Sequence, residues 1–166
     1  MKNECGGSLI HRKRKSKRVL DFKKSTHLVL RLKGRLPSFF NPRDRKLRLL
    51  FVRAAEKNGI KIYQLIFNHT HCHSVLKMES RDDYVRFIRE ITSKLVGYFS
   101  VTTRLKLKGI FDSRPWTRIV QWGKDFKRVK NYMIKNEIES GTLQFKITFI
   151  KSTYRNKIQL PLFCFG

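Results

Sequence analysis

Five residues near the middle of the chain, His69-Thr70-His71-Cys72-His73, contain three of its five histidines. On an extended strand alternate side chains share a face, so the three imidazoles line up on one side, with Thr70 and Cys72 on the other. A row of imidazoles presents nitrogen lone pairs to one divalent cation. A structural zinc site needs four protein ligands. Cys72 points away from the row and Cys5 and Cys164 stand near the ends of the chain, so the set is incomplete. An incomplete set suits a catalytic centre whose open positions are filled by substrate oxygens. A second pair of interest is Tyr132 and Asn136, four residues apart and therefore on one face of a helix. A phenol is a nucleophile once it is activated. Spacing alone does not single out Tyr132 among the five tyrosines.

The elements that must position these groups follow from the apolar pattern. Thr26-His27-Leu28-Val29-Leu30-Arg31-Leu32 reads as a strand ended by Gly34 and Pro37. Asn41-Pro42 reads as a helix start with proline at the first position. Leu47, Leu50, Phe51, Ala54 and Ala55 follow as one stripe, and Asn58-Gly59 closes the helix. Residues 60–67 and 72–78 form two strands joined through Asn68-His69-Thr70. Ser80 caps a helix whose stripe is Val85, Ile88, Ile91, Leu95 and Phe99. A short strand is expected over 104–110. A last helix over 124–139 buries Phe126, Val129 and Met133, with Gly141 as its stop. The order strand, helix, two strands, helix, strand, helix is that of a split β-α-β unit. The expected fold class is therefore α+β: a ferredoxin-like or RNA-recognition-type antiparallel sheet with helices packed on one face.

The charge balance is extreme, with 38 Lys+Arg against 12 Asp+Glu and a formal net charge of +26. Such a chain calls for an anionic partner, nucleic acid first and an anionic membrane surface second. No apolar run approaches the length of a spanning helix, and no apolar stretch follows the basic N-terminus, so neither a membrane location nor a secretory leader is expected. Three widely spaced cysteines make no disulfide framework and suit a reducing cytoplasm. The chain divides into a basic arm (1–24), a domain (25–141) and a β-prone tail (142–166). In the arm, Arg12, Lys13, Arg14, Lys15, Lys17 and Arg18 read either as a solvated tail or as phosphate contacts; Gly6-Gly7 marks a flexible or tightly turned lead-in. Arg43, Arg45, Lys46 and Arg48 at the first helix are further candidates for phosphate contact.

Taken together, the histidine strand, the helix after it and the later Tyr-x-x-x-Asn helix resemble the single-tyrosine HUH transposases, above all the REP-associated tyrosine transposases. That family carries His-apolar-His on a strand, then a short apolar run, then an amphipathic helix. Its nucleophile lies in a stretch like Tyr-Ile-x-x-Asn-Pro. Here the stretches are His71-Cys72-His73-Ser74-Val75-Leu76 and Tyr132-Met133-Ile134-Lys135-Asn136-Glu137. Glu137 stands where many members have proline. The likeness runs over roughly residues 20–140 and includes His27-Leu28-Val29-Leu30-Arg31 and the segment Gly109 to Pro115. It selects the register His71/His73, because Cys72 is the more apolar middle residue, and leaves His69 as an extra imidazole, either a further metal ligand or an accessory group.

The resemblance implies an HUH endonuclease fold and a DNA nicking and strand-transfer activity on single-stranded DNA beside a hairpin. It implies Mg²⁺ or Mn²⁺ held by His71, His73 and Asn136, and Tyr132 as the residue that forms a 5′-phosphotyrosine. The protein would be a monomer or homodimer associated with a bacterial nucleoid. Two other readings stand beside it: a domesticated hairpin-DNA-binding protein without catalysis, and an RNA-binding protein of ribosomal type.

Overall fold

The computed structural model describes residues 3–10, 17–34, 36, 39–112 and 114–139. Arg12, Lys13, Arg14 and Lys15 of the arm and the tail 142–166 lie outside the described residues. Five strands, β1 (Glu4–Cys5), β2 (Ser25–Arg31), β3 (Lys61–Asn68), β4 (His71–Lys77) and β5 (Trp116–Val120), and three helices, α1 (Arg45–Lys57), α2 (Arg81–Thr103) and α3 (Lys124–Glu139), make up the domain. The strands form one antiparallel sheet in the order β1-β5-β2-β4-β3. The hairpin β3-β4 and the central β2 are the split β-α-β arrangement expected from the order of elements.

Local chemistry accounts for the helix boundaries. Asp44, not Asn41, caps α1: its carboxylate accepts from the Lys46 and Leu47 amides at 2.9 and 3.1 Å. Asn41 instead makes an Asx turn onto the Arg43 amide at 2.9 Å, which delays the helix by one turn. Ser80 and Asp83 form a reciprocal capping box for α2. Burial then follows the stripes, with Leu47, Phe51, Ala54 and Ala55 of α1 and Tyr84, Phe87, Ile91, Leu95 and Phe99 of α2 in the core.

Three expectations are corrected. The fourth long strand is Trp116–Val120, not 104–110. Arg-Leu-Lys-Leu-Lys alternates like a half-buried strand, yet α2 runs to Thr103, Arg104 takes a left-handed conformation (φ 57°) and Gly109 another (φ 56°). Among the described residues an isolated bridge, Leu32 to Phe111, and the buried Ile110 tie the connection to the sheet and its core, without a ladder. Secondly, the helices do not share one face. Helices α1 and α2 cover the face carrying Leu28, Leu30, Leu65, Phe67, Cys72 and Leu76. Helix α3 packs on the opposite face, where Val129 and Met133 meet Ile66, Val75 and Val120. Thirdly, part of the basic arm is built into the domain. Glu4 and Cys5 pair with Arg118 and Thr117 along the free edge of β5. Gly6 (φ 94°) lets the chain pass so close to Pro115 that a Cβ would sit 2.1 Å from its carbonyl oxygen.

Candidate active site on the helix α3 face

Strand register fixes which side chains meet on the second face. Opposed residues of an antiparallel pair point the same way. His73 of β4 lies opposite Val29 of β2 and Ile66 of β3, and His71 opposite Arg31 and Asn68. The same face therefore carries His27, Val29 and Arg31 from β2 and Trp116 and Arg118 from β5. Cys72 falls on the other side, 1% exposed in the main core, where burial pushes its thiol up to about 12. It takes no part in this site.

The imidazole row is not the one the sequence suggested. His69 sits exposed in the β3-β4 turn rather than on the strand, where its carbonyl accepts from the Phe40 amide at 3.0 Å. The third imidazole of the face is His27, on the neighbouring strand. Its Nε2 lies 3.1 Å from His73 Nδ1, and the two rings, 26° from parallel, have their centroids 5.2 Å apart. The rings of His71 and His73 are 4.8 Å apart and nearly perpendicular. His71 Nδ1 lies 3.1 Å from the Thr70 hydroxyl. In both motif histidines Nδ1 is thus the engaged nitrogen, which leaves Nε2 for anything bound.

Burial holds all three imidazoles neutral. Desolvation, then the Arg118 charge, brings His27 down to about 4. Desolvation, followed by His27, His71 and Arg31, brings His73 down to about 3. His71 is lowered by its burial and by Arg31. Neutral rings keep the lone pairs that a cation requires.

Helix α3 crosses above this row. Tyr132 is 50% exposed, and its ring meets His73 edge-on at 5.8 Å and His27 at 6.4 Å. Met133, next in sequence, is fully buried and anchors the helix, so the phenol is held over the histidines by a core contact beside it. Asn136 lies one helical turn further on. A cleft of about 720 Å³ opens beneath Tyr132, lined by His27 and His73, with Arg31, Arg114, Arg118 and Arg128 facing the carboxylates of Glu4, Asp112 and Asp125. Asp125 at the cleft holds Arg118 at 2.8 Å.

Three buried polar atoms of β3, β4 and α3 find no hydrogen-bond partner among the described residues: Asn68 Oδ1, His73 Nε2, which lines the cleft, and Asn136 Nδ2. Asn68 lies opposite His71 in the register. Amide oxygen and nitrogen exchange places by a simple flip, so Asn136 offers an oxygen as readily as a nitrogen. Unpaired buried polar atoms are costly, and these donors fit a cation. Among the described residues no group of three or more His, Cys, Asp or Glu side chains is arranged to hold a metal by itself. A cation here would draw on two imidazoles and an amide.

The basic candidates divide. Arg18 is buried, with its guanidinium donating to the Cys5 carbonyl at 3.0 Å and to the Thr117 hydroxyl, and stacked over Tyr84. Arg48 donates to the Leu65 carbonyl at 3.0 Å, lies over Phe67 and faces the buried Glu137. Both guanidiniums hold the domain together. Lys17, Arg43, Arg45 and Lys46 are exposed. Sequence reasoning passed over His27, Arg31 and Arg118. The alternation His27-Leu28-Val29-Leu30-Arg31 carried the signal, since it places polar side chains opposite a buried leucine face.

The structure is similar to that of a REP-associated tyrosine transposase bound to a REP hairpin, with a TM-score of 0.61, 19% sequence identity, and 78% of this chain and 75% of that one covered. It is also similar to a putative transposase from Deinococcus radiodurans R1, with a TM-score of 0.48, 16% identity, and 75% and 98% covered. No curated protein sequence matches. Residues 21–136 match the family described as Transposase IS200 like. The chain belongs to that family, a class of DNA-processing transposases. Among the described residues no helix is long and apolar enough to cross a membrane.

Proposed function

We propose that the protein nicks and rejoins single-stranded DNA beside a hairpin, with Tyr132 as the nucleophile. The observation that carries this reading is the placement of an exposed phenol over a pair of strand histidines in an arginine-lined cleft. His71 and His73, with Asn136, are the residues that would hold Mg²⁺ or Mn²⁺. A bound cation would supply Lewis-acid polarisation of the scissile phosphodiester.

The chain's own groups do the rest. The Tyr132 oxygen attacks the phosphorus and the P–O3′ bond breaks. The phenol proton goes to base, and the departing 3′ oxygen takes up a proton. The product is a 5′-phosphotyrosine and a free 3′-OH, and because the phosphodiester energy is retained, the reverse attack by another 3′-OH rejoins the strand. Arg31, Arg118 and Arg128 would neutralise phosphates in the cleft. Lys17, Arg43, Arg45, Lys46 and the arm residues Arg12, Lys13, Arg14 and Lys15 would add contacts outside it. Trp122, 45% exposed and packed on Tyr63 and Phe126, offers a stacking surface for an unpaired base.

The test is incubation of the protein with end-labelled hairpin DNA and Mn²⁺, followed by a denaturing gel. A covalent protein–DNA band that depends on Tyr132 supports the reading. Tight hairpin binding with no adduct would replace it with the non-catalytic one.

A further inference from the structure

Two imidazoles that share one hydrogen bond must share its direction. The bond between His27 Nε2 and His73 Nδ1 is 3.1 Å long and buried. A neutral imidazole has one N–H and one lone pair, so only two arrangements exist. If His27 donates, His73 accepts at Nδ1 and carries its own proton on Nε2. That proton would be a buried donor with no acceptor among the described residues, which carries the full cost of its lost hydration. If His73 donates from Nδ1, its Nε2 is a bare lone pair in a residue that lines the cleft beneath Tyr132.

We propose that His27 is a positioning residue: it accepts from His73 Nδ1–H and thereby fixes His73 in the tautomer whose Nε2 lone pair can bind a cation. A ligating histidine ordinarily uses its other ring nitrogen in this way. Here the partner is a second imidazole rather than a carboxylate. Acidic side chains are scarce in this chain, and of the three that line the cleft, Glu4, Asp112 and Asp125, none is recorded against His73, while Asp125 is paired to Arg118. The ring of His27 is itself held. It meets Trp116 edge-on at 5.3 Å, and it sits two strand positions from Val29, the residue opposite His73. With its Nε2 spent on His73, His27 is not a cation ligand.

This inference rests on the metal reading proposed above, and the experiment separates the two. Histidine-selective ¹⁵N labelling of the full chain without metal or DNA reads the His73 tautomer directly from its ring nitrogen shifts. The expected result is Nδ1–H with an unprotonated Nε2. Titration with Mn²⁺, followed by its paramagnetic resonance, then compares three forms. His27→Phe keeps a ring but offers no acceptor, and should weaken Mn²⁺ binding roughly 10–100-fold. His27→Gln restores an acceptor oxygen and should recover most of that loss. A proton found on Nε2 of His73 in the wild type, or Mn²⁺ affinity unchanged in His27→Phe, overturns the assignment. The Nδ1–H tautomer in a wild type that takes up no Mn²⁺ upholds the hydrogen-bond direction and sinks the metal reading instead.

Discussion

Replacing Tyr132 by phenylalanine removes one oxygen and nothing else. The ring contacts with His27 and His73, at 6.4 and 5.8 Å, are kept, and the buried neighbours Val129 and Met133 are untouched. Half of the side chain faces solvent, so the change belongs with surface substitutions, which shift stability by no more than about 0.5 kcal/mol. Hairpin binding can lose at most one hydrogen bond, about 0.5–1.5 kcal/mol net, or up to about tenfold in affinity. Covalent chemistry responds differently, because phenylalanine offers no atom that can bond to phosphorus. Adduct yield on a denaturing gel should fall to background, while urea midpoints and gel-shift affinities stay within those bounds. Phenylalanine at Tyr63, Tyr84, Tyr98 or Tyr154 should leave the adduct intact. An adduct that survives in Tyr132→Phe would refute the assignment of the nucleophile. A variant that lost binding in proportion to cleavage would show that the phenol serves recognition rather than attack.

Other expectations follow from the same geometry. Alanine at His71 or His73 should abolish the adduct, and alanine at His69, exposed in the turn, should leave most of it; the reverse pattern would place the ligands in the other register. Neutralising Arg12, Lys13, Arg14, Lys15 and Lys17 together should reduce the log–log salt slope of single-strand binding by roughly 3.5 units, at about 0.7 per phosphate, whereas an unchanged slope would assign the arm to another partner. Met133→Ala should cost about 2–5 kcal/mol in urea unfolding, since the side chain is fully buried between α3 and the sheet. Stability should also fall in acid. His27 and His73 stay neutral in the fold down to about 4 and about 3 but take up protons near 6.5 when unfolded. Their contribution is complete above 6.5 and is lost as the pH drops toward those folded values. Urea titrations from pH 7.5 to 4 should show that loss, and a His73→Gln variant should show a shallower one.

The strands and helices around the site were legible because their burial is one-sided. Leu28 and Leu30 alternate with His27, Val29 and Arg31, and Val129 and Met133 recur at helical spacing. What the sequence hid was which face each element chose. Periodicity shows that α3 has an apolar stripe but not that Ile66, Val75 and Val120 form a second, smaller apolar patch to receive it. The same limit explains the third imidazole. Three histidines in five residues pointed to His69, yet a two-residue turn removes it from the strand, and the partner of His73 comes from 46 residues earlier through sheet register. Residues 104–110 mimic a strand in composition. What excludes them is a left-handed residue at each end of the segment, a conformation that side-chain patterning does not report.

The two unequal cores set an order of opening. Helices α1 and α2 share the large cluster with both central strands, while α3 is moored by Val129 and Met133 against three strand residues, with Phe126 and Tyr63 at the margin. Proteins come apart in cooperative units ranked by such burial. In native-state hydrogen exchange the amides of α3 should therefore release first, at a free energy below that of the whole domain. The helix that carries the tyrosine can then lift away from the histidine strand while the sheet and its other two helices stay folded.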